Sequence, residues 1–568
     1  MPQTPQIAYF TMEAALDLGM PTYSGGLGVL AGDALLSAAD LGVPMVGVTL
    51  VHRRGYFTQG LGARGEQIET PTEWRPSAHL EPAPAVVEVG LHGRRVVVGA
   101  WRCVVHGATG REVSVLLLDT DHADNHPEDR RITDSLYGGD ERDRLRQEAV
   151  LGIGGVRMLR ALGLSGIRRF HMNVGHAALL TLELARESAA SRGLAATDPR
   201  VLREVRSRCV FTTHTPVPAG HDRFDPERVR EALEPELLRP FEGFARASAA
   251  MDEGRLNLTR LALSLSRYVN GVSRRHAEVS RRIFAPAAVD SITNGVHAGR
   301  WTSPAMARVF DRHVPGWQQE PSLLRRAMAI PGDEVWEAHA TAKRRLLDTV
   351  RQLTGETLDP AAITLGFARR AATYKRHHLL LSDPARLGAM SDRLGPVQVV
   401  FAGKSHPRDG GGKDEIRRVF EAIGALRGRV RAVFLPNYDM ALGAIMTAGS
   451  DVWVNTPRAP LEASGTSGMK AALNGVPSLS VLDGWWLEGC VEGVTGWAIG
   501  TDRGVGEGDD SRDAADLFDA LERRVLPTYY GDRERFVGVM RHAIGVNGAY
   551  FNTHRMVQEY VAKAYFGA

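Results

Sequence analysis

In the second half of the chain, short apolar runs recur at intervals, and each one ends in a polar or glycine-rich loop. The runs are ITLGFARR, VQVVFAGK, VRAVFLP, SDVWVNTP and PSLSVLD, with helical patterns between them. Continuous apolar runs are typical of strands buried on both faces, so they predict a parallel sheet covered by helices. The first half repeats the rhythm in YSGGLGVLAGDALLSAADLGVPMVGVTLV, which predicts a glycine turn, a helix and a strand. The sequence therefore predicts an α/β protein with two doubly wound, Rossmann-like domains.

The two sets of strands divide the chain near Gly295. After ITNGVHAGRW, a long segment predicts helices without strands, and the last segment predicts a helix with aromatic residues on one face. We expect an amino-terminal domain over 1–295, a carboxy-terminal domain over 296–545, and a helix over 546–568 that crosses back to the first domain. Ligands of open α/β sheets bind beyond the carboxyl ends of the strands, so two such domains predict a cleft between them.

Composition excludes several classes of protein. The 568 residues are 43% hydrophobic, and 69 Lys+Arg against 66 Asp+Glu leave a net charge of +3, which is too balanced for a nucleic-acid partner. Cys103, Cys209 and Cys490 lack CxxC spacing, so they predict neither a disulfide framework nor a thiolate metal site. The chain shows no signal-like amino terminus and no apolar run long enough to cross a bilayer. We expect a cytoplasmic protein with no membrane partner.

Lysine is rare in this chain. Six of the 69 basic residues are lysines, namely Lys343, Lys375, Lys404, Lys413, Lys470 and Lys563. A guanidinium neither deprotonates to form an imine nor acts as a compact point charge, so a retained lysine can mark a position that needs a primary amine, although chance retention explains some of them. Four of the six fall between positions 375 and 470.

The segment NTPRAPLEASGTSGMKAALNG places a loop of small residues at the start of a predicted helix. Gly465, Thr466, Ser467 and Gly468 offer backbone N–H groups and hydroxyls at that helix end, which suits a phosphate group. Lys470 follows on the first turns. A phosphate cradle beside an amine could hold pyridoxal 5′-phosphate (PLP), with the amine forming the imine. A capping loop with a solvent-facing lysine is the alternative.

A basic segment, GFARRAATYKRHH, directly follows a predicted strand. Arg369 and Arg370 could clamp an anion through paired hydrogen bonds, and Lys375 would add a compact charge on the same oxygens. This set predicts a site for a doubly charged phosphate. A solvated basic helix start explains the same residues.

Two further segments are candidates for the cleft. The glycine loop that contains Gly25 and Gly26 precedes a predicted helix and could present amides to an anion, although a tight turn also explains it. His214, in FTTHTPVPAGH, could contact a sugar or be purely structural. The FAGK segment at 401–404 predicts a surface turn rather than a mobile loop of the cleft.

Taken together, these segments resemble the α-glucan phosphorylase family of glycogen, starch and maltodextrin phosphorylases. The likeness runs from AYFTME to the LDG near Asp483, and EASGTSGMK followed by LNG is its most specific motif. The resemblance implies the GT-B architecture and PLP as cofactor. It implies reversible phosphorolysis, in which inorganic phosphate removes the non-reducing end of an α-1,4-glucan or maltooligosaccharide as α-D-glucose 1-phosphate. The family tends toward homodimers.

The resemblance also implies a role for each matching residue. The implied catalytic residues are Lys470, which is the Schiff-base lysine, Arg370, Lys375 and His214. The implied cofactor-binding residues are Lys470, Gly465, Thr466, Ser467, Arg369, Tyr438 and Gly26. The implied substrate-binding residues are Glu462, Ser464, Asn294, Tyr374, Gly25, Leu27 and Glu13. No metal site is expected.

The chain departs from the family pattern at three places. Arg369 stands where vertebrate and plant members have lysine, Ala372 replaces a histidine, and FHMNVGHA, which contains Asn173, replaces an Asn-Asp-Thr-His-Pro pattern. The chain begins without the long amino-terminal extension of animal enzymes, so we expect no control by phosphorylation or nucleotides. Two alternatives are a nucleotide-sugar-dependent GT-B glycosyltransferase resembling glycogen synthase and a non-catalytic carbohydrate-binding homologue. Neither needs an amine at position 470.

Overall fold

The computed structural model describes residues 4–566 except 248–249, 427, 503, 505 and 507. In chain order the strands are β1 (Ile7–Phe10), β2 (Met45–Leu50), β3 (Thr58–Leu61), β4 (Gln67–Thr70), β5 (Glu81–Pro82), β6 (Val87–Leu91), β7 (Arg94–His106), β8 (Glu112–Asp119), β9 (Arg169–Asn173), β10 (Cys209–Thr212), β11 (Arg223–Phe224), β12 (Met251–Asp252), β13 (Arg255–Asn257), β14 (Tyr268–Gly271), β15 (Asp290–Ser291), β16 (Ile363–Ala368), β17 (Val397–Ala402), β18 (Arg431–Leu435), β19 (Val452–Asn455), β20 (Ser478–Val481) and β21 (Gly496–Ile499).

Helices connect and cover these strands. The longer α-helices are Gly26–Leu41, Leu180–Arg192, Pro199–Arg208, Pro235–Ala247, Arg274–Ile283, Pro304–His313, Gly332–Thr354, Pro384–Leu394, Gly410–Ala425, Met440–Gly449, Asp510–Ala520 and Arg533–His542. The shorter ones are Glu141–Ala149, Gly155–Ala161, Pro226–Ala232, Leu258–Ser264, Ala298–Trp301, Thr466–Leu473, Trp486–Gly489, Leu526–Gly531 and Thr553–Tyr560. No helix in the described ranges is both long enough and apolar enough to span a bilayer.

The first large sheet has the order β15-β14-β10-β9-β1-β2-β8-β7-β5, with β6 paired to β7. Pairing is parallel from β15 to β8 and antiparallel from β8 onward. β1 and β2 are buried along their whole length, as their apolar sequences predict. The chain order reverses between β1 and β9, and at such a reversal the loops after the two strands leave a crevice.

The second large sheet has the order β18-β17-β16-β19-β20-β21, and every pair is parallel. The five apolar runs form β16 to β20, so that prediction is confirmed. The sixth strand, β21, was not predicted, because its sequence GWAI is short and begins with a glycine. Renumbered from β16, the order is 3-2-1-4-5-6, which is the doubly wound order with its reversal between β16 and β19.

Helices and a carboxy-terminal return link the two sheets. The strands of the first sheet end at Ser291 and those of the second begin at Ile363, with the long helix Gly332–Thr354 between them. The buried rings of Tyr560 and Tyr565 lie beside His171 of β9 in the first sheet. The division at 1–295, 296–545 and 546–568 stays a prediction.

A hairpin from the first half of the chain reaches the second sheet. The β3–β4 hairpin is hydrogen-bonded to the loop after β17, because Gln59 Nε2 donates to Gly403 O (2.9 Å) and Gln67 Nε2 donates to Ser405 O (2.9 Å). In the same loop, Lys404 Nζ donates to Phe57 O (3.0 Å). The prediction that 401–404 is a surface turn is therefore wrong, because this segment is a contact between the two halves of the chain.

Candidate active site

The reversal points of both sheets carry the polar residues that the sequence singled out. In the second sheet, Arg369 follows β16 and Asn455 ends β19, and the guanidinium of Arg369 donates to the side-chain oxygen of Asn455. In the first sheet, Glu13 lies after β1 and Asn173 ends β9. Parallel strands thus deliver these side chains to the carboxyl edges, where a doubly wound fold binds its ligands.

Glu462 is the centre of a buried charge cluster. Its carboxylate pairs with Arg369 and accepts two hydrogen bonds from Lys375 Nζ (2.8 and 2.7 Å). Burial raises the pKa of Glu462, but Arg369 and Lys375 outweigh it and lower the pKa to about 2. Asp483 Oδ2 accepts the Glu462 N–H (2.8 Å) and fixes the backbone behind the carboxylate. Arg369, Lys375 and Glu462 therefore come together, with Glu462 as the counterion of both cations.

Arg370 occupies a more open position than its neighbour. Its side chain is exposed. Desolvation lowers the pKa of its guanidinium, and the phenols of Tyr374, Tyr56 and Tyr137 raise it by more. Lys375 Nζ lies 4.5 Å from the ring centroid of Tyr374. Arg370 therefore offers a solvent-accessible cation, whereas Lys375 is already paired.

Lys470 lies on the helix Thr466–Leu473 and is buried. Its Nζ lies 3.6 Å from the ring centroid of Trp301. Burial lowers the pKa of Lys470 to about 8, while Asp33 raises it and Arg300 lowers it further. A buried amine with this pKa is partly neutral near pH 7, as a nucleophile requires. The solvent-facing alternative for Lys470 is excluded.

The amino-terminal end of the Lys470 helix is surrounded by small polar residues. Its N-cap Gly465 has φ 94°, in the region that favours glycine, and no side chain caps the helix. Ser467 Oγ accepts a hydrogen bond from Trp453 Nε1 (3.1 Å). The buried Ser464 Oγ has no hydrogen-bond partner in the described part of the chain. Thr466 is half-buried at the first turn, so these groups surround a helix end that can bind an anion.

A second helix end lies at the glycine loop. Glu13 accepts hydrogen bonds from Ser24 N (2.5 Å), Gly25 N (3.3 Å) and Tyr137 Oη (2.8 Å), so its carboxylate holds the loop in place. A Cβ built on Gly25 or Gly26 would meet no atom within 4 Å, which shows open space beside both glycines. Leu27 follows on the first turn of the helix Gly26–Leu41. The loop therefore faces an opening, while Glu13 supports it from behind.

His214 and Asn294 bring polar atoms to the amino-terminal side of the site. His214 Nε2 bonds to Asn173 Oδ1 (2.5 Å), so Nε2 carries the proton and Nδ1 is left as an acceptor. Burial lowers the pKa of His214 to about 3, which keeps the ring neutral. Asn294 is buried, and its Oδ1 has no partner among the described residues. Ser273 Oγ donates to Ala463 O (2.7 Å) and ties this side to the cradle.

Tyr438 follows β18, and its ring is half-buried. Burial raises the pKa of its phenol, and the nearby phenol of Tyr23 raises it further. Tyr23 Oη accepts the Met440 N–H (2.9 Å), which joins the glycine-loop segment to the Tyr438 segment. Tyr438 therefore lies where the two halves of the site meet.

Sequence reasoning missed three residues around Lys470. Trp301 lies in ITNGVHAGRW, Asn474 is the asparagine of the LNG motif, and Asp33 lies in the helix after the glycine loop, but the sequence alone assigns none of them a role in the site. Asp33 accepts the indole N–H of Trp301 (2.7 Å), and Asn474 Nδ2 donates to the carbonyls of Trp301 (2.8 Å) and Lys470 (3.0 Å). The tryptophan in ITNGVHAGRW was the available signal, because a large aromatic residue beside a ligand motif is a candidate platform.

The residues present fit PLP. A phosphate-bearing aldehyde needs a partly neutral amine, an open helix end and unpaired polar atoms, and Lys470, Gly465 and Ser464 supply these. Two doubly wound sheets whose reversal points carry this set define a GT-B-like architecture.

Comparison with known proteins agrees with this class. A family model described as carbohydrate phosphorylase matches residues 227–493. The chain is 39% identical to the maltodextrin phosphorylase of Thermococcus litoralis, over 98% of this chain and 70% of that protein. It is also 39% identical to the glycogen phosphorylase of Mycobacterium bovis, with shares of 98% and 70%. For the glycogen phosphorylase of Aquifex aeolicus the identity is 34%, with shares of 98% and 86%. The chain therefore belongs to the carbohydrate phosphorylase family, which uses PLP.

Proposed function

We propose that this protein is an α-1,4-glucan phosphorylase that transfers the terminal glucose of an α-glucan or maltooligosaccharide to inorganic phosphate, giving α-D-glucose 1-phosphate. One observation carries the proposal. The buried amine of Lys470, with its pKa near 8, lies on a helix whose amino-terminal end has no side-chain cap. A nucleotide-sugar transferase or a non-catalytic homologue has no need for such an amine.

The cradle and Lys470 would hold the cofactor. Lys470 would attach to the carbonyl carbon of PLP, while the amides of Gly465, Thr466 and Ser467 hold the phosphoryl group. Arg369 would add a charge from the opposite strand end, and Tyr438 and Gly26 would border the ring. When bound, PLP supplies a phosphoryl group that exchanges a proton with the substrate phosphate.

The basic segment would bind the substrate phosphate. Arg370 is the accessible cation, and Lys375 would contribute once an anion competes with Glu462 for its ammonium. Lys375 is held in place by its buried pairing with Glu462, and a cation in a fixed position stabilises developing charge. Gly25 and Leu27 would present amides from the opposite helix end.

The sugar would be held by neutral and anionic acceptors. Asn294 and the free Nδ1 of His214 suit sugar hydroxyls, as do Glu462 and Ser464, and Tyr374 would border the ring. Because these groups are buried or fixed, they orient the glucose and exclude water from its reacting carbon.

The proton for the leaving sugar oxygen comes from the phosphate in this mechanism. With a pKa of about 2, Glu462 is ionised near pH 7 and has no proton to give, and the carboxylate of Glu13 is fully engaged by the glycine loop. Neither Glu462 nor Glu13 can therefore serve as the acid of a two-carboxylate glycosidase mechanism. Burial raises the pKa of Asp483 to about 7, but this carboxyl group is buried and its two oxygens accept the Glu462 and Gly484 N–H groups. Inorganic phosphate would protonate the glycosidic oxygen, and the C1–O bond would break to release the shortened glucan. The resulting phosphate dianion would then bond to C1 from the same face, with retention.

Three broader properties belong to the same proposal. We infer a cytoplasmic location from the spacing of the three cysteines, which is not that of a disulfide framework. A homodimer and the division at 1–295, 296–545 and 546–568 are inferred from the family resemblance and the strand pattern.

The decisive experiment incubates the purified protein with maltooligosaccharide and inorganic phosphate and measures glucose 1-phosphate. The expected result is product that depends on phosphate and disappears in Lys470→Ala. Transfer of glucose from a nucleotide sugar instead would identify the glycogen-synthase-like alternative. Binding of maltooligosaccharide with neither reaction would identify a non-catalytic homologue.

A further inference from the structure

The helix Gly26–Leu41 connects the glycine loop to a second, buried polar contact. Asp33, seven residues after Gly26, is fully buried. Its carboxylate accepts hydrogen bonds from the indole Nε1 of Trp301 (2.7 Å), the backbone N of His297 (3.0 Å) and Nη1 of Arg300 (3.1 Å). All three donors belong to the segment 297–301. Asp33 therefore fixes that segment against the helix that carries the glycine loop.

Trp301 is held by hydrogen bonds at its ring nitrogen and at its backbone carbonyl. Asp33 holds the ring nitrogen, and at the backbone Asn474 Nδ2 bridges the carbonyl oxygens of Trp301 (2.8 Å) and Lys470 (3.0 Å). The ring face lies under the Lys470 amine, with 3.6 Å between Nζ and the ring centroid. Because the ring nitrogen and the backbone of Trp301 are both held, the face of its indole offers the amine one position.

The charges around the amine are balanced. Asp33 raises the pKa of Lys470 and Arg300 lowers it, and these two groups are paired with each other (3.1 Å). The indole face is then the direct contact of the ammonium, and such a contact favours a fixed orientation of the cation over the ring. Removal of the Asp33 charge would leave Arg300 uncompensated beside the amine.

We propose that Asp33 is a positioning residue for Lys470, because it locks Trp301 so that the amine is aimed in one direction at a carbonyl carbon. This inference rests on the proposed function, which takes the carbonyl to be the aldehyde of PLP. In the attachment, the neutral amine attacks the aldehyde carbon and a C=N bond replaces the C=O bond. The oxygen leaves as water with the two protons of the amine. An amine that is no longer held in one orientation attacks the aldehyde more slowly, and loss of the Asp33 charge shifts the pH dependence of the attack.

The test uses the full-length protein, stripped of PLP and then mixed with PLP, and follows attachment by near-ultraviolet absorbance between pH 6 and 10. Trp301→Phe keeps an aromatic ring but has no donor for Asp33, and it should attach PLP about tenfold more slowly. Asp33→Asn keeps an acceptor for the indole but removes the charge. In Asp33→Asn, the pH at which PLP attachment is half-maximal should fall by about one unit.

A matched control comes from the same helix. Asp40 is a buried carboxylate bonded to His297 Nε2 (2.7 Å) and His554 Nε2 (2.8 Å), so it touches the same segment but not Trp301. Asp40→Asn should attach PLP like the parent protein. The inference is overturned if Trp301→Phe and Asp33→Asn, folded by circular dichroism, both match the parent in rate and midpoint. If Asp33→Asn does not fold, Trp301→Phe alone decides.

The proposed function fails in a different way. If the parent protein takes up no PLP at all, the proposed function is wrong and the role of Asp33 falls with it. If the parent attaches PLP at Lys470 and the variants behave identically, only the role of Asp33 is wrong.

Discussion

Replacement of Glu462 by Gln should destabilise the protein in a way that inorganic phosphate reverses. The carboxylate is the counterion of two buried cations, Arg369 and Lys375. The pKa of Glu462 is lowered from 4.5 to about 2, and this corresponds to about 3 kcal/mol of stability at neutral pH. Removal of one partner from a buried ion pair costs about 3–5 kcal/mol, which agrees in size. The free energy of unfolding should therefore fall by about 3 kcal/mol in Glu462→Gln.

The sign of the pH dependence follows from the same pKa. The lowered pKa of Glu462 contributes stability that is complete above pH 4.5 and is lost as the pH falls toward 2. The parent protein and Glu462→Gln should accordingly differ most at neutral pH and converge in acid. Phosphate should restore part of the loss at neutral pH, because its charge replaces the carboxylate beside Arg369 and Lys375.

The assay is urea unfolding with and without inorganic phosphate, and Glu183→Gln is the control. Glu183 is fully buried and pairs with Arg157 (3.0 Å) and Arg186 (2.5 Å) on a helix outside the site. Both variants should lose stability, but only Glu462→Gln should recover with phosphate. The reasoning is refuted if Glu462→Gln is as stable as the parent, or if phosphate stabilises the two variants equally.

Three other outcomes are expected. Arg370→Ala should raise the KM for phosphate far more than the KM for glucan, because Arg370 is the accessible cation of the basic segment; equal losses in steady-state kinetics would contradict this role. Lys470→Arg should abolish activity and PLP retention, since a guanidinium forms no imine, and an active variant with no bound PLP would show that the amine is dispensable. His214, with its pKa lowered to about 3 by burial, should stay neutral in a ¹⁵N NMR titration between pH 5 and 8. The His214 imidazole protonates near pH 6.5 in the unfolded chain but not in the folded one, so the free energy of unfolding should decrease as the pH falls below 6.5. A ring that titrates near pH 6.5 in the folded protein would refute the assigned burial of His214.

The sequence predicted the fold better than it predicted the contacts of the site. Apolar runs define β16 to β20 because strand periodicity is a local property, whereas β21 is too short to stand out. The motif identified Lys470, but its contact with Trp301 joins residues far apart in the chain, and no local pattern reports such a pair. Glu462 was assigned to the sugar alone, and only the structure shows it as a counterion. The contact of Lys404 with Phe57 was missed for the same reason.

The β3–β4 hairpin has a mechanical consequence for the basic segment. Side chains of the hairpin donate hydrogen bonds to the loop at 403–405. The basic segment is bonded in turn to this loop and to the end of β17, because Arg369 N donates to Ala402 O (3.2 Å) and Ala371 N donates to Lys404 O (2.9 Å). Rotation of one sheet away from the other would stretch these hydrogen bonds. A rotation that separates the two sheets would therefore also displace the basic segment, because the β3–β4 hairpin connects the two.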